Sequence, residues 1–366
     1  MSVFNRFAHY FQQARAAYGI SVFTQLLEIA RLRLGQGCIG PGDYYTYRLF
    51  ERDIPWSEKR RFVGWKAETK LDALNAPQWH CLGLDKVLMY AIFQNGGIRI
   101  PETKAIYLPG RQRLLEGATC LTNALELHEW LREPDRYPFF SKPSASGFAR
   151  GAFFASGLDR PSDTIIMRDG SRIPVLEFAH RFRDIERLGY LFQTPVKPDR
   201  RLAAQMGETP VSSLRLMILL DEDEGPVLHR AFWKIPTGLN MSDNFNSGRS
   251  GNLAAAISHE SGAIVRIIAG VGQQLSEIEC HPDTGAKLRD LMVPDWPKVK
   301  EFAFRAALTL PKLRFQQWDI ALSNDGPLAL EVNLFGTGGC DLTQLLYRKG
   351  LLDDTMTRFL DRHSHL

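Results

Sequence analysis

The chain has 366 residues, 44% hydrophobic and 23% charged, with a formal net charge of +4. That length can bury a substantial core and form two or three lobes. The small net charge, with no basic stripe interleaved with aromatics, gives no footprint for nucleic acid. Cys38, Cys81, Cys120, Cys280 and Cys340 are widely spaced, odd in number and lack a CxxC pair, so neither a zinc site nor a disulfide framework is expected, and reduced thiols fit the cytosol. No run of 18 apolar residues offers a membrane span. The first residues, Met1–Phe7, lack the apolar core of a signal peptide. A cytoplasmic location is the expectation.

Residues 1–80 read as a helical N-terminal extension. Phe23, Leu26, Leu27, Ile29, Ala30 and Leu32 recur at helical spacing, and after the Gly40-Pro-Gly42 break a second helix is expected with Asp43 as its cap. Tyr44, Tyr45, Tyr47 and Phe50 read as packing residues. Residues 81–135 form a linking, mainly helical region: Leu84–Phe93 is an amphipathic helix, and further helices are expected near 119–132. Residues 136–205 carry short strands around Phe139–Lys142, Ala152–Ala155 and Gly189–Val196, as in a small α+β lobe. Residues 206–366 carry longer strands at Ser213–Leu220, Val227–Lys234 and Leu253–Ile257, a helix over 297–308 and a terminal hairpin.

That hairpin is the most informative stretch. Two apolar runs, Trp318–Leu322 and Leu328–Leu334, flank Ser323-Asn-Asp-Gly-Pro327. Pairing Leu322 with Leu328 across a five-residue loop sets Asp319 opposite Glu331, with Asn333 on the same face because strand side chains alternate. Two adjacent carboxylates repel unless something offsets them, and magnesium, a hard cation taking oxygen ligands, does so. Taken alone, the motif is equally compatible with a solvent-exposed polar hairpin face. The run Gly336–Gly339 supplies backbone that can approach a ligand closely. Earlier in the chain, Lys142 precedes the small-residue loop Pro143–Gly151, in which the backbone at Ser144, Ser146 and Gly147 could cradle phosphate oxygens. A plain turn fits that loop equally well. Arg215 and Arg230 stand in otherwise apolar strands, where each needs an anion or a carboxylate partner. Arg249 lies in a polar loop.

The order of these parts resembles the ATP-grasp superfamily: Asp85-Lys86, Lys142-Pro143, the strand running from Tyr190 to Val196, and the terminal Asp319…Glu331-Val-Asn333. Within it, Gly40-Pro-Gly-Asp-Tyr-Tyr45, Ser213-Leu-Arg215, Ser242-Asp-Asn-Phe-Asn-Ser-Gly248, His281-Pro-Asp-Thr-Gly285 and Gln317-Trp-Asp319 resemble the sugar-transfer-associated ATP-grasp group, relatives of α-L-glutamate ligases. The resemblance implies an α+β fold of two lobes holding nucleotide between them. It implies that Lys86 and Lys142 contact the α- and β-phosphates and that Gln193, Thr194 and Val196 lie in the hinge on the adenine edge. It also implies that Asp319, Glu331 and Asn333 hold one or two magnesium ions, and that Asn244 with Gly248–Gly251 approaches the transferred phosphate.

Three positions depart from the pattern. Gln193 and Ser213 stand where many members carry Glu, and Gln317 stands where many carry an arginine aimed at the transferred phosphate. Arg215, Arg230 and Arg249 are the candidates to replace that arginine. The implied activity is ATP-dependent carboxylate–amine ligation through an acyl phosphate, with a small-molecule acid and amine as substrates. The alternatives are a phosphotransferase of the same fold and a non-catalytic nucleotide-binding partner of glycan-assembly enzymes.

Overall fold

The computed structural model describes residues 3–109, 115–145, 151–182, 189–207, 210–238, 240–334 and 339–363. Two seven-stranded sheets organise the chain. The first is built from β1 (Thr103–Tyr107), β2 (Thr119–Leu121), β3 (Phe139–Pro143), β4 (Phe153–Asp159), β5 (Thr164–Met167), β6 (Arg172–Pro174) and β7 (Tyr190–Gln193), in the order β2-β1-β7-β3-β4-β5-β6. Only β1 and β2 pair in parallel; the other pairs are antiparallel. Two strands from the 81–135 stretch therefore extend the sheet built from 136–193. Where helix alone is expected near 119–132, Thr119–Leu121 is a strand and the helix runs from Ala124 to Leu131, capped by Asn123, whose side chain accepts from two backbone N–H groups.

The first sheet buries an aromatic core of Trp130, Phe139, Phe178, Phe182, Tyr190 and Phe192. Alternation along β3 then decides what faces the other way: Phe139 and Ser141 are buried in the lobe, while Phe140 and Lys142 turn to the opposite side.

The second sheet comprises β8 (Ser213–Asp221), β9 (Gly225–Ile235), β10 (Leu253–Ile257), β11 (Ile264–Ala269), β12 (Ser276–Glu277), β13 (Phe315–Ser323) and β14 (Gly326–Asn333), antiparallel throughout in the order β12-β11-β10-β9-β8-β13-β14. The helix Trp296–Leu308 lays Val299, Phe302, Ala303 and Ala306, one helical stripe, on a face that includes Leu214, Leu216, Ile218, Trp233 and Ile320. The opposite face changes character along the strands. At one end Met217, Leu219 and Phe315 pack under Ala67, Leu71, Met356 and Phe359, while Phe232, Ala254 and Ala256 pack under Leu345 and Leu346. At the other end the same face is charged.

The N-terminal extension is helical, with helices at Val3–Tyr18, Val22–Arg33, Pro41–Thr46, Trp56–Lys59 and Trp65–Asp72. Tyr44, Tyr45, Tyr47 and Phe50 are buried there as packing residues. Gly40, not Asp43, is the N-cap of Pro41–Thr46. Asp43 sits three residues in and reaches back to the Gly40 N–H at 2.8 Å, as in a capping box.

Candidate active site

A cleft opens between the two sheets. Its walls include Lys86, Phe140, Lys142, Phe154 and Gln193–Val196 on one side, and Arg215, Lys234, Asp243, Asn244, Asp319 and Glu331 on the other.

The β13–β14 hairpin sets the floor. Asp319 pairs with Glu331, as the sequence pattern demands, but by a different route. The turn is tighter than a five-residue loop: Ser323 pairs with Gly326, leaving Asn324 and Asp325 at the tip. A bulge between Ile320 and Asp319, with Leu330 as the extra residue, restores the register. The bulged residue's carbonyl accepts from the Tyr90 hydroxyl at 2.8 Å, and Lys142 Nζ donates to that hydroxyl at 2.9 Å. Lys142, Tyr90 and Leu330 thus link the first sheet, the helix Lys86–Asn95 and the second sheet across one end of the cleft.

Asp319 is almost fully buried. Its Oδ1 accepts from Arg215 Nε at 2.5 Å; its Oδ2 accepts from Arg215 Nη2 at 2.8 Å and Lys234 Nζ at 3.0 Å. Cross-strand pairing makes this possible, since Asp319 is opposite Arg215 on β8, and Ser213, two residues earlier, is opposite Lys234 on β9. Burial alone would raise the Asp319 pKa; the charges of Arg215 and Lys234 outweigh it and hold the carboxyl well below its ordinary range. Burial likewise opposes the Lys234 charge, and Asp243 and Asp319 overcome it. Asp243 accepts from Ser213 Oγ at 2.5 Å and lies 3.8 Å from Lys234 Nζ, with its pKa pushed up by burial. Across the cleft, burial lowers Lys142 to about 8, partly offset by Glu331 and Asp319. Lys86 Nζ is 3.6 Å from Glu331.

Gln193 and Thr194 are fixed by the start of β1 and the residue before it. Gln193 Nε2 donates to Thr103 Oγ1 at 3.1 Å, and Thr194 bonds Glu102 through both its backbone N–H and its hydroxyl. Beyond them, Asn324 N donates to the Lys197 carbonyl and Asp199 N to that of Leu322, tying the connecting segment to the hairpin. The loop carrying Asn244 is held by Asn252, which is fully buried. Its Oδ1 accepts from Thr237 N and Asn240 Nδ2, and its Nδ2 donates to the carbonyls of Ser242 and Asn244.

The cleft therefore brings together Lys86, Lys142, Gln193, Thr194, Val196, Arg215, Asn244, Asp319 and Glu331. Asn333 stands beside Glu331, its Nδ2 3.5 Å from Oε1. Arg230 is not in the cleft: it bonds Asp353 at 2.6 Å and lies over the Tyr347 ring, because the C-terminal segment covers that end of β9. Arg249 is exposed and outside the cleft walls. Ser144 is buried, donating its hydroxyl to Asp85 at 2.6 Å, so it locks the loop to the helix start rather than lining the cleft. Ser146, Gly147 and residues 336–338 lie outside the described residues. At Gly339 a Cβ would stand 3.2 Å from Arg215 Nη1 and 3.1 Å from Gln317 Oε1, at a φ of +157°. His281 is satisfied by the Pro236 carbonyl and the Asp283 backbone N–H, with the Asp283 carboxylate 4.0 Å away.

Lys234, Asp243 and Asn252 escape the sequence reading. Lys234 had a usable signal, an ionisable group closing the apolar run Ala231-Phe-Trp-Lys-Ile235. Asn252 had none, because its value lies in bonds to loop residues 8–15 positions away.

The residues suit a magnesium ion by donor chemistry. A carboxylate offers about four lone-pair sites, and three donors occupy those of Asp319, leaving room on Oδ1. Glu331, half-buried, and Asn333 add hard oxygen donors alongside. Among the described residues no group of three or more His, Cys, Asp or Glu is placed to hold a metal on its own.

No curated protein sequence matches the chain. Solved structures with a similar fold include a phosphoribosylamine–glycine ligase from Thermotoga maritima (TM-score 0.45, 11% identity, covering 82% of this chain and 61% of that one). A biotin carboxylase from Campylobacter jejuni in complex with β,γ-ATP (0.43, 10%, 78% and 50%) and a D-alanine–D-alanine ligase from Bacillus anthracis (0.38, 10%, 78% and 67%) are also similar. This chain thus spans less than two thirds of the first and half of the second. The model of the family described as sugar-transfer associated ATP-grasp matches residues 71–358. With that match covering most of its length, the chain belongs to the sugar-transfer-associated ATP-grasp family.

Proposed function

We propose that the cleft binds ATP with magnesium and that the protein is an ATP-dependent carboxylate–amine ligase. One observation carries the reading: four cations, Lys86, Lys142, Arg215 and Lys234, converge from both sides on the Asp319–Glu331 pair, next to the Gln193–Val196 segment. Such a field suits a polyphosphate, whose charge it offsets in a partly desolvated site.

In this reading Gln193, Thr194 and Val196 hold the adenine edge, and Lys86 and Lys142 position the α- and β-phosphates. Glu331, Asn333 and Asp319 would hold magnesium, which supplies further neutralisation of phosphate charge. Arg215 takes the place of the arginine absent at Gln317, and Lys234 stands beside it. An acid substrate's carboxylate oxygen attacks the γ-phosphorus, the bond to the β-phosphate oxygen breaks, and ADP leaves. The amine then attacks the acyl carbon, phosphate departs, and an amide forms with loss of the amine's proton. Arg215 and Lys234 stabilise charge as it develops on the transferred phosphoryl group. Asn244, held by Asn252, stands over the same end of the cleft. The reading assigns 1–80 to an extension, 81–135 to a linking region, 136–205 to the small lobe and 206–366 to the large lobe, with cytoplasmic ATP as the supply.

The test is ADP release from magnesium-ATP with pooled carboxylic acids, with and without pooled amines. A ligase needs both pools; a phosphotransferase of the same fold releases ADP with one.

A further inference from the structure

The helix Val22–Arg33 uses only part of its surface. Gln25, Ile29 and Leu32, one helical stripe, are buried against the extension. The opposite side carries Phe23, Leu26, Leu27 and Leu34, which are 75%, 50%, 41% and 90% exposed, with exposed Ala30 among them. These positions follow i, i+3, i+4, i+7 and i+11 spacing and form a single apolar stripe turned to solvent. Isolated exposed leucines need no explanation; a continuous stripe does.

The charge around the stripe indicates what covers it. On a helical wheel Arg33 borders it on one side and Arg31 on the other. Both are exposed and neither has a carboxylate partner among the described residues, although one Arg33 nitrogen, Nη1, donates to the Cys38 carbonyl at 3.3 Å. The first 34 residues contain four arginines, no lysine and one carboxylate, Glu28. That carboxylate accepts from the Tyr44 hydroxyl at 2.6 Å and pairs with Lys59 at 3.3 Å, away from the stripe. Beside Thr24, on the flank of the same helix, a half-exposed Trp56 lines a shallow groove; indoles favour the water–lipid boundary. A second copy of the helix would have no free carboxylate to offer these arginines, since Glu28 is already paired.

We infer that this helix docks the protein on an anionic phospholipid surface, lying in the interface plane with Phe23, Leu26, Leu27 and Leu34 among the acyl chains and Arg31 and Arg33 at the headgroups. Among the described residues no helix is long and apolar enough to cross a membrane; a helix lying in the interface plane is a peripheral attachment. It is independent of the nucleotide cleft.

The experiment is co-sedimentation of the full chain with vesicles of phosphatidylcholine alone and of phosphatidylcholine mixed with phosphatidylglycerol. Binding is expected on the mixed vesicles, falling at high salt, with little on phosphatidylcholine alone. Each of Arg31→Gln and Arg33→Gln should lower partitioning about fivefold. Leu27→Asp should lower it at least about tenfold, with an unchanged melting temperature because the position is solvent-facing. Absence of binding to the mixed vesicles overturns the inference. So does binding that survives both the arginine pair and Leu27→Asp, or a light-scattering dimer that Leu27→Asp dissociates in a protein that ignores vesicles.

Discussion

Two carboxylates on the same side of the second sheet are equally buried and have opposite fates. Asp319 and Glu68 are each 2% exposed. Asp319, at the cleft end, is held ionised by Arg215 and Lys234. Glu68, on the helix Trp65–Asp72 at the packed end, is pushed up to about 8 by burial and then by the nearby Asp341 and Asp43; its contact is the Tyr47 hydroxyl at 3.4 Å. Two arginines repeat the contrast. Arg215 meets Asp319 in the cleft, whereas Arg230, opposite Met217 on the same face, meets Asp353 of the C-terminal segment. Burial does not distinguish a site from a scaffold. What does is whether buried charges are grouped around open space or used up one against one.

The largest effect should come from breaking the cleft group. Asp319→Ala leaves Arg215 and Lys234 buried without their carboxylate; we expect a loss of about 3–5 kcal/mol in stability by urea titration, and no ADP release. Next come the paired cations. Lys234→Met should reduce ADP release by about 10²-fold with folding retained. Arg230→Met should cost about 1.5–3 kcal/mol of stability and leave magnesium-ATP affinity unchanged. Equal effects of the two on nucleotide affinity would erase the distinction between the ends.

Lys142 sharpens it further. With its pKa lowered to about 8 by burial, it is protonated at pH 7 and mostly neutral at pH 9. ATP affinity should therefore fall about tenfold over that interval as the ammonium is lost, and Lys142→Arg should flatten the profile in a calorimetric titration.

The smallest effect concerns Glu68. A carboxyl raised in the folded state contributes stability that is full below its ordinary pKa and lost as pH rises through about 8. Glu68→Gln should therefore raise the melting temperature by a few degrees at pH 8, with little change at pH 4.

The sequence discloses these features unevenly, for physical reasons. Long apolar strands and their alternation are legible, so Ser213–Leu220 and Leu253–Ile257 stand close to their observed bounds. The facing of Asp319 and Glu331 is legible although the loop is not, because a two-residue turn and the bulge at Leu330 cancel one another in register. Strands such as β5, β6 and β11 are short or exposed on one face and leave no strong periodicity. Arg215 and Arg230 look alike in sequence, since what separates them is a residue more than a hundred positions away in each case. Lys234, closing an apolar run, is visible as an ionisable group out of place, but its partner Asp319 lies far along the chain.

ADP release most directly tests the central claim that this cleft is the site of an ATP-dependent ligase. The chain is incubated with magnesium-ATP and pooled carboxylic acids, with and without pooled amines, beside Asp319→Ala and Glu331→Ala. The account predicts ADP release that requires both pools and vanishes in both variants. Release that persists in Glu331→Ala, or a wild-type protein that neither releases ADP nor binds magnesium-ATP, would contradict it.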